Sequence, residues 1–295
     1  MAAEHVRAVL AHGVAPGDVV VAARRIDQAE HLATAHGVRA AVLDEVRAPT
    51  AIVAVAEDAL VSVTRGLLER GATRVIVEKP GALSSGELRE LASHEGIFVG
   101  YNRRFHASVV RARELVEQDG GAIGVAFDFT ELERLVLDDA RRRKLPDVVL
   151  QRWGLANSLH VIDLAFFLAG DPIELVAERS GSLPWHSVGA RFSGSGATDR
   201  GALFSYLATW DGAGRWSVEV TTRARRLVLR PLEELQEQLR GSFELRRIEV
   251  AGPAGVKPGL AGQLDAFLGG DTRFLCGIDE AVGRLELAER MFGYG

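Results

Sequence analysis

The first hundred residues alternate between short apolar runs and amphipathic segments, and this alternation limits the fold more than any other feature of the sequence. The apolar runs are Val19–Val21, Ala51–Val55, Val75–Val77 and Ile97–Val99. Segments with helical spacing of their apolar residues separate them. Strands that alternate with helices build a parallel sheet covered by helices. The sequence therefore predicts an α/β fold with a doubly wound parallel sheet over residues 1–101.

The alternation stops beyond residue 102. Helical spacing recurs at 108–117, 159–168 and 262–292. In the second of these, the residues expected to share one face are Val161, Leu164, Ala165 and Leu168. Four strand-like runs lie between residues 174 and 250, and the glycines of 212–214 are predicted to form a hairpin turn between two of them. The prediction for residues 102–295 is an α+β domain with a mainly antiparallel open sheet.

The beginning of the chain departs from the usual order of a Rossmann-like domain. Such a domain starts with a strand that leads into a Gly-x-Gly-x-x-Gly turn, whereas this sequence opens on a helical segment. The first strand normally lies in the middle of the sheet, so its loss would leave its neighbours unpaired. One interpretation is that Met1 is an internal methionine and that the natural product begins about 10–15 residues earlier. The other is a natural chain that has lost its cofactor site.

Composition argues against several classes of function. The net charge of −5 gives no basic excess that could hold a nucleic acid by releasing counterions. Cys276 is the single cysteine, so an internal disulfide and a cysteine-rich zinc site are excluded, and no other metal-ligand spacing occurs. No apolar stretch is long enough for a bilayer span, and no signal peptide is visible. We expect a cytoplasmic protein that acts on a small molecule, without a metal, a membrane or a nucleic acid.

Three short motifs carry the residues that are suited to chemistry. The third apolar run ends in Glu78-Lys79-Pro80, which places a lysine at the carboxyl end of a parallel strand, where such sheets bind ligands. Proline fixes the turn and permits a cis bond. The fourth run leads into Gly100-Tyr101-Asn102-Arg103-Arg104-Phe105-His106. A later helix carries His160 and Asp163, whose i, i+3 spacing puts them on adjacent positions of one face.

In this order and on this architecture, the motifs resemble the family of glucose-fructose oxidoreductase, inositol dehydrogenase and rhizopine-catabolism proteins (Gfo/Idh/MocA). The resemblance covers nearly the whole chain from the second Rossmann strand onward, and Glu78-Lys79-Pro80 is its most recognisable signature. It implies an NAD- or NADP-dependent oxidoreductase that transfers a hydride to or from a hydroxyl or carbonyl group of a sugar, cyclitol or sugar nucleotide. It also implies a homo-oligomer that pairs through the sheet of the second domain.

The resemblance assigns a role to each candidate residue. Lys79 would contact the reacting oxygen and the nicotinamide ribose, and His160 would be the general acid/base, a role that suits an imidazole with a pKa of about 6.5. The implied substrate-binding residues are Tyr101, Arg104, Asn157 and Asp163. The implied cofactor-binding residues are Arg24, Arg25, Ala56, Glu57, Glu78, Lys79 and Pro80. Arginines rather than an acid after the second Rossmann strand favour NADP over NAD.

Two departures from the family pattern support a different function. Many members carry an aspartate four residues before the histidine, where this chain has Ala156. Glu57 and Asp58 form an acidic pair where a pyrophosphate would bind, which is unfavourable unless they point away. The alternative prediction is a non-catalytic sugar-binding or regulatory member of the fold with a decayed cofactor site. A third is a hydrolase or lyase that uses tightly held NAD.

Overall fold

The computed structural model describes residues 1–252 and 255–294, which form two compact units. The first unit comprises residues 1–105 and 252–282, and the second comprises residues 106–251 and 283–295. No helix within the described ranges is both long enough and apolar enough to cross a bilayer.

The helices and strands alternate in the first hundred residues, as the sequence predicts. The α-helices are α1 (Ala2–Ala11), α2 (Ile26–His36), α3 (Leu60–Glu69), α4 (Ser85–Arg89), α5 (Ala107–Gln118), α6 (Glu133–Arg143), α7 (Asp147–Gln151), α8 (Leu159–Ala169), α9 (Leu260–Gly269) and α10 (Ile278–Phe292). The strands are β1 (Val20–Ala23), β2 (Arg39–Val42), β3 (Thr50–Val53), β4 (Arg74–Glu78), β5 (Ile97–Gly100), β6 (Gly124–Asp128), β7 (Val176–Ser180), β8 (Arg191–Ala197), β9 (Leu203–Thr209), β10 (Ser217–Thr221), β11 (Arg225–Leu229), β12 (Leu235–Leu239), β13 (Arg246–Ile248) and β14 (Cys276–Gly277).

The core of the first unit is a sheet with the strand order β14-β5-β4-β3. Strands β3, β4 and β5 are parallel, with Val77 of β4 between Val53 and Val99 of its neighbours. In β4, Val75, Ile76 and Val77 are fully buried. A strand covered on both faces needs such a continuous apolar run, and for this reason its position could be predicted from the sequence.

Strands β1 and β2 form a separate two-stranded parallel sheet. In the described part of the chain β1 pairs only with β2, and β3 pairs only with β4, so the parallel strands of this unit are divided into two groups. The residues of β1 are less buried than those of β4, with Val20 at 37% exposure. Helix α2 packs on this small sheet. The division lies between the two strands that a first Rossmann strand would join.

Residues 252–282 belong to the first unit, although the sequence analysis assigned the whole of 102–295 to the second domain. Helix α9 packs against α1, where Leu260 and Leu264 cover Ala8. Strand β14 extends the parallel sheet antiparallel to β5, pairing Cys276 with Val99. The chain returns to the first unit because these elements supply apolar side chains and backbone pairing that its own segment lacks.

The second unit is built on one large, mainly antiparallel sheet with the order β13-β12-β11-β10-β6-β9-β8-β7. One pair in it, β6 with β9, is parallel. The predicted hairpin at 212–214 is wrong, because β9 and β10 lie on opposite sides of β6 rather than beside each other. The strand β6, which the sequence analysis missed, enters between them and takes the backbone pairing that a hairpin would have used.

Helix α8 packs on the inner face of this sheet, where Phe127 contacts Phe166 edge to face. Every residue of α8 is buried, so its polar side chains lie in the core together with the apolar ones. A helix of mixed polarity buried on all sides must find a partner for each polar side chain that it carries.

The opposite face of the large sheet is open. Val176, Leu203 and Leu207 are 64%, 68% and 59% exposed there. The side chains between them are small, since Ser195 pairs with Ser205 and Ser205 with Ala126 across neighbouring strands. This face is therefore flat and carries large exposed apolar side chains.

The division of the parallel strands predicts unequal protection of their backbones. We expect the amides of Val75–Val77 in β4 to exchange with deuterium at least about 100-fold more slowly than those of β1, because β4 has hydrogen-bonded neighbours on both sides and β1 has one. Hydrogen exchange resolved to single peptides measures the difference. Equal protection of β1 and β4 would contradict the two-group arrangement.

Candidate functional site

The Glu78-Lys79-Pro80 turn lies at the carboxyl end of the buried strand β4. The Lys79–Pro80 peptide bond is cis, and the turn closes with a hydrogen bond from the Gly81 amide to the Glu78 carbonyl at 3.0 Å. Gly81 has a φ of +88°, and a Cβ there would lie 3.1 Å from Val99 and 3.2 Å from Leu88. The turn therefore needs glycine for its backbone angle and has little room for a side chain. Lys79 follows β4 directly and is partly exposed.

A buried histidine engages the carboxylate of this turn. Nε2 of His5 lies 2.6 Å from Oε1 of Glu78, and the two side chains are 5% and 10% exposed. Nδ1 of His5 is buried and has no hydrogen-bond partner among the described residues. The sequence analysis missed this pair because 73 positions separate its members and nothing near His5 indicates a partner. Glu78 is therefore held by the helix α1 and is directed into the protein.

Tyr101 and Arg104 lie together just after β5. Arg104 is 2% exposed, and its guanidinium lies over the Tyr101 ring at 5.6 Å from the centroid. Its Nη2 and Nη1 donate to the two carboxylate oxygens of Glu280 at 2.6 and 3.3 Å. This bidentate pair balances the buried charge of the arginine. Nη1 and Nη2 are the groups with which Arg104 could bind a substrate. Both already bond Glu280 of α10 and so hold α10 to the segment after β5.

The two arginines after β1 differ in their surroundings. Arg25 donates from Nε and Nη2 to the Asp27 carboxylate, a contact that lowers the pKa of Asp27. Arg24 is exposed and forms no ion pair with the described residues. Of the two, Arg24 is the guanidinium that a ligand phosphate could reach without displacing an internal carboxylate.

The turn after β3 separates its two acids. Ala56 precedes a short 3-10 turn over Glu57–Ala59, in which Glu57 is 7% exposed and Asp58 is exposed. The Glu57 carboxylate is directed into the protein rather than along the surface. Of the two acids that the sequence places after β3, only Asp58 is exposed at this turn.

The second unit carries the other set of candidate residues on and before α8. His160 is 8% exposed, and its ring lies 6.3 Å from the ring of Trp216. Asn157 belongs to a π turn, Gly154–Ser158, that leads directly into the helix. A π turn inserts an extra residue into the helical register and occurs frequently at functional sites.

Asp163 forms a buried ion pair one turn after His160. Its Oδ1 lies 3.5 Å from Nε of Arg284, and the two side chains are 1% and 3% exposed. Nη2 of Arg284 also donates to Asp171 at 2.8 Å. Arg284 balances the charge that α8 brings into the core, and it joins the middle of α8 and the residues just after its end to α10.

Glu131 is the residue at this site that the sequence analysis missed. It is 6% exposed and lies three residues after β6. Both of its carboxylate oxygens accept from Nδ2 of Asn157 at 3.1 Å, and Oε1 also accepts from the Ser158 hydroxyl at 2.7 Å. The contact joins positions 26 and 27 apart, and no local sequence pattern signals it.

The other end of the π turn is held by Tyr294. Its hydroxyl accepts from the Gly154 amide at 3.1 Å and lies 2.7 Å from Nε2 of His186. Nδ1 of His186 lies 2.7 Å from the Gly189 carbonyl, which can only accept, so Nδ1 carries the proton and Nε2 accepts from the tyrosine. Burial raises the pKa of Tyr294 and lowers the pKa of His186, so both groups are neutral at neutral pH.

The structure therefore presents the candidate residues in two sets. In the first unit, Glu78, Lys79 and Pro80 form one turn, while Tyr101 and Arg104 stack on each other. In the second, Asn157, His160 and Asp163 follow one another along the π turn and α8. The first set supplies an ammonium group, and the second supplies an imidazole, which can hold or release a proton near neutral pH.

No protein-family model matches the chain, and no sequence among the curated proteins matches it. Solved structures do match it along its whole length. UDP-N-acetylglucosamine 3-dehydrogenase GnnA from Acidithiobacillus ferrooxidans is 16% identical with a TM-score of 0.75, covering 99% of this chain and 93% of that one. Levoglucosan dehydrogenase in complex with NADH and levoglucosan is 16% identical with a TM-score of 0.78, covering 99% and 94%.

A third match is the dehydrogenase MviM from Clostridium difficile, which is 15% identical with a TM-score of 0.76 and covers 100% of this chain and 96% of that one. Identities this low carry no information about individual site residues, whereas TM-scores above 0.7 over complete chains describe the same arrangement of strands and helices. The chain has the two-part α/β fold of these dehydrogenases, the fold expected from its resemblance to the Gfo/Idh/MocA proteins.

Proposed function

We propose that the protein is an NAD(P)-dependent oxidoreductase that transfers a hydride to or from a hydroxyl or carbonyl group of a sugar, cyclitol or sugar nucleotide. The observation that carries the proposal is that Lys79 directly follows a parallel strand whose Val75, Ile76 and Val77 are fully buried, on a fold shared with a sugar dehydrogenase. The levoglucosan dehydrogenase of similar fold was solved with NADH and a sugar, which supports this class of cofactor and substrate.

Lys79 and His160 are the proposed catalytic residues. Oxidation of an alcohol requires a base for the hydroxyl proton and a positive charge near the developing alkoxide. Lys79 supplies the charge, and the carboxylate of the neighbouring Glu78 is engaged by His5. His160 supplies the base. Asp163, one turn later, is engaged in an ion pair with Arg284.

Four further residues are proposed to bind the substrate, namely Tyr101, Arg104, Asn157 and Asp163. Of these, Asn157 offers the most direct chemistry. Its Nδ2 donates to Glu131, which leaves Oδ1 as an acceptor for a sugar hydroxyl. Arg104 and Asp163 hold buried ion pairs and would act chiefly by fixing the elements that surround the substrate.

The residues of the first unit fit the two ends of a nicotinamide dinucleotide. Arg24, exposed at the end of β1, suits the 2′-phosphate of NADP, and Lys79 suits the nicotinamide ribose. We therefore favour NADP over NAD. When bound, the cofactor accepts or supplies the hydride. Ala56, Glu57 and Pro80 line the two turns at the carboxyl ends of β3 and β4, where the remaining contacts are proposed.

The second candidate function is sugar binding or regulation without catalysis. Ala156 favours it, because it leaves the turn before His160 without an acid of its own. Calorimetric titration with NADPH and NADH separates the two candidates. Binding of a sugar without binding of either cofactor would favour the second.

A homo-oligomer is proposed to form through the open face of the large sheet. The exposed Leu203, Leu207 and Val176 supply apolar area, and the small residues between them allow a second flat surface to approach closely. Burial of one such leucine contributes about 2 kcal/mol to association.

The catalytic assignment predicts the effect of removing either group. We expect Lys79→Ala and His160→Ala each to lower turnover about 100-fold, because each removes charge or proton-transfer chemistry from the transition state. Nicotinamide absorbance with a panel of sugars and sugar nucleotides measures the rate. Lys144→Ala and His94→Ala, which remove an exposed lysine and an exposed histidine, serve as controls and should turn over normally. Near-normal turnover of either site variant would remove that residue from the catalytic assignment.

The contrast between the arginines predicts which of them sets cofactor preference. We expect Arg24→Ala to weaken NADPH binding about 10-fold or more and to leave NADH binding unchanged, since a charge-assisted hydrogen bond contributes about 1.5–3 kcal/mol. Arg25→Ala is the matched control, because Asp27 already occupies that guanidinium. Calorimetry gives the four affinities. An equal loss for both cofactors would contradict a 2′-phosphate contact.

The open face predicts a surface variant that separates the subunits. Leu207→Glu should convert the assembly to a 31.8 kDa monomer, because burying an unpaired carboxylate in an apolar contact is costly. Leu135→Glu, which alters a leucine of similar exposure on α6, should leave the assembly intact. Light scattering coupled to gel filtration gives the masses. A native protein that is already monomeric would refute the proposed oligomer.

A further inference from the structure

The π turn before His160 is held at both ends by side chains from distant parts of the second unit. At its beginning, the Gly154 amide donates to the Tyr294 hydroxyl, and a Cβ at Gly154 would lie 2.4 Å from the Phe292 ring. At its end, Asn157 and Ser158 donate to Glu131. The turn has no room for a side chain beside Phe292 and is bonded to the loop after β6, so both of its ends are held where α8 begins.

Glu131 is the charged member of this arrangement. Its carboxylate accepts three hydrogen bonds from residues that precede His160 by two and three positions. A buried carboxylate is costly unless its oxygens accept hydrogen bonds, and here those hydrogen bonds come from the turn that leads into the helix of the proposed base. Loss of the carboxylate would therefore remove the hydrogen bonds that hold the end of the π turn.

We propose that Glu131 is a positioning residue that fixes the imidazole of His160 by bonding Asn157 and Ser158 of the π turn. This inference rests on the proposed function for its catalytic consequence, because His160 is the proposed acid/base. Its structural part, the dependence of the His160 ring on the Glu131 carboxylate, stands apart from catalysis. The turn itself contains no acid, because Ala156 stands four residues before His160. Glu131 supplies an acid from another part of the chain.

The bonding pattern offers a substitution that breaks the contact and a second that restores it. In Glu131→Gln, Oε1 still accepts a hydrogen bond, but an NH₂ group replaces Oε2 and faces Nδ2 of Asn157, so two donors oppose each other there. Adding Asn157→Asp exchanges the roles, since the glutamine then donates to an aspartate. Ser158→Ala removes the 2.7 Å bond without changing any charge and is the milder variant if Glu131→Gln fails to fold.

The experiment is an NMR spectrum of the protein labelled with ¹³C in its histidine rings. The His160 resonance is identified by its loss in His160→Ala. We expect it to shift or broaden in Glu131→Gln and in Ser158→Ala, and to return toward its native position in the Glu131→Gln/Asn157→Asp pair. Glu133→Gln, which changes an exposed acid two residues away, should leave it unchanged. Far-ultraviolet circular dichroism establishes that each variant is folded.

Kinetics with an active sugar substrate supply the second readout. Glu131→Gln should lower kcat at least about tenfold while KM changes by less than about threefold, because a displaced base affects the transition state more than binding. A native His160 resonance in folded Glu131→Gln would overturn the proposal, as would the same shift in Glu133→Gln. Because the NMR result needs no turnover, an inactive native protein would count against the proposed function alone.

Discussion

The burial of α8 on all sides is the constraint on which the second unit depends. A helix in that position could consist of aliphatic residues alone, yet this one carries His160 and Asp163 into the core. Each then needs a polar environment built from elsewhere in the chain. Arg284 meets this need for Asp163, while Glu131 and Tyr294 hold the turn that leads to His160. The loop after β6 and the C-terminal part of the chain therefore supply the side chains that bond α8 and the turn before it.

The same principle operates on a smaller scale around Lys79. A glutamate directly before the lysine could form an ion pair with it and reduce its effect on a ligand. Instead, the Glu78 carboxylate lies against His5 in the interior. In both units, a carboxylate that stands close in sequence to a proposed catalytic group is bound by another side chain, Glu78 by His5 and Asp163 by Arg284.

How much could be predicted from the sequence depended on whether a feature was local. The run Val75–Val77 and the glycine-limited turn after it carry their own signals, as does the helical spacing of 159–168. The bonds of Glu131 to the π turn join positions 26 or more apart, and the Gly154–Tyr294 bond spans 140. No periodicity encodes such pairs. The hairpin prediction at 212–214 failed for a related reason. Glycines indicate a turn in the chain, but they do not indicate which strands pair on either side of it.

The division between the β1–β2 pair and the sheet of β3, β4 and β5 has a thermodynamic consequence. No ladder hydrogen bonds connect the strand before Arg24 with the strand before Lys79 in the described part of the chain. A dinucleotide that contacted both residues would act as a cross-link between the two groups of strands. Its binding would then raise the free energy of unfolding, so the unfolding temperature would increase with the cofactor concentration.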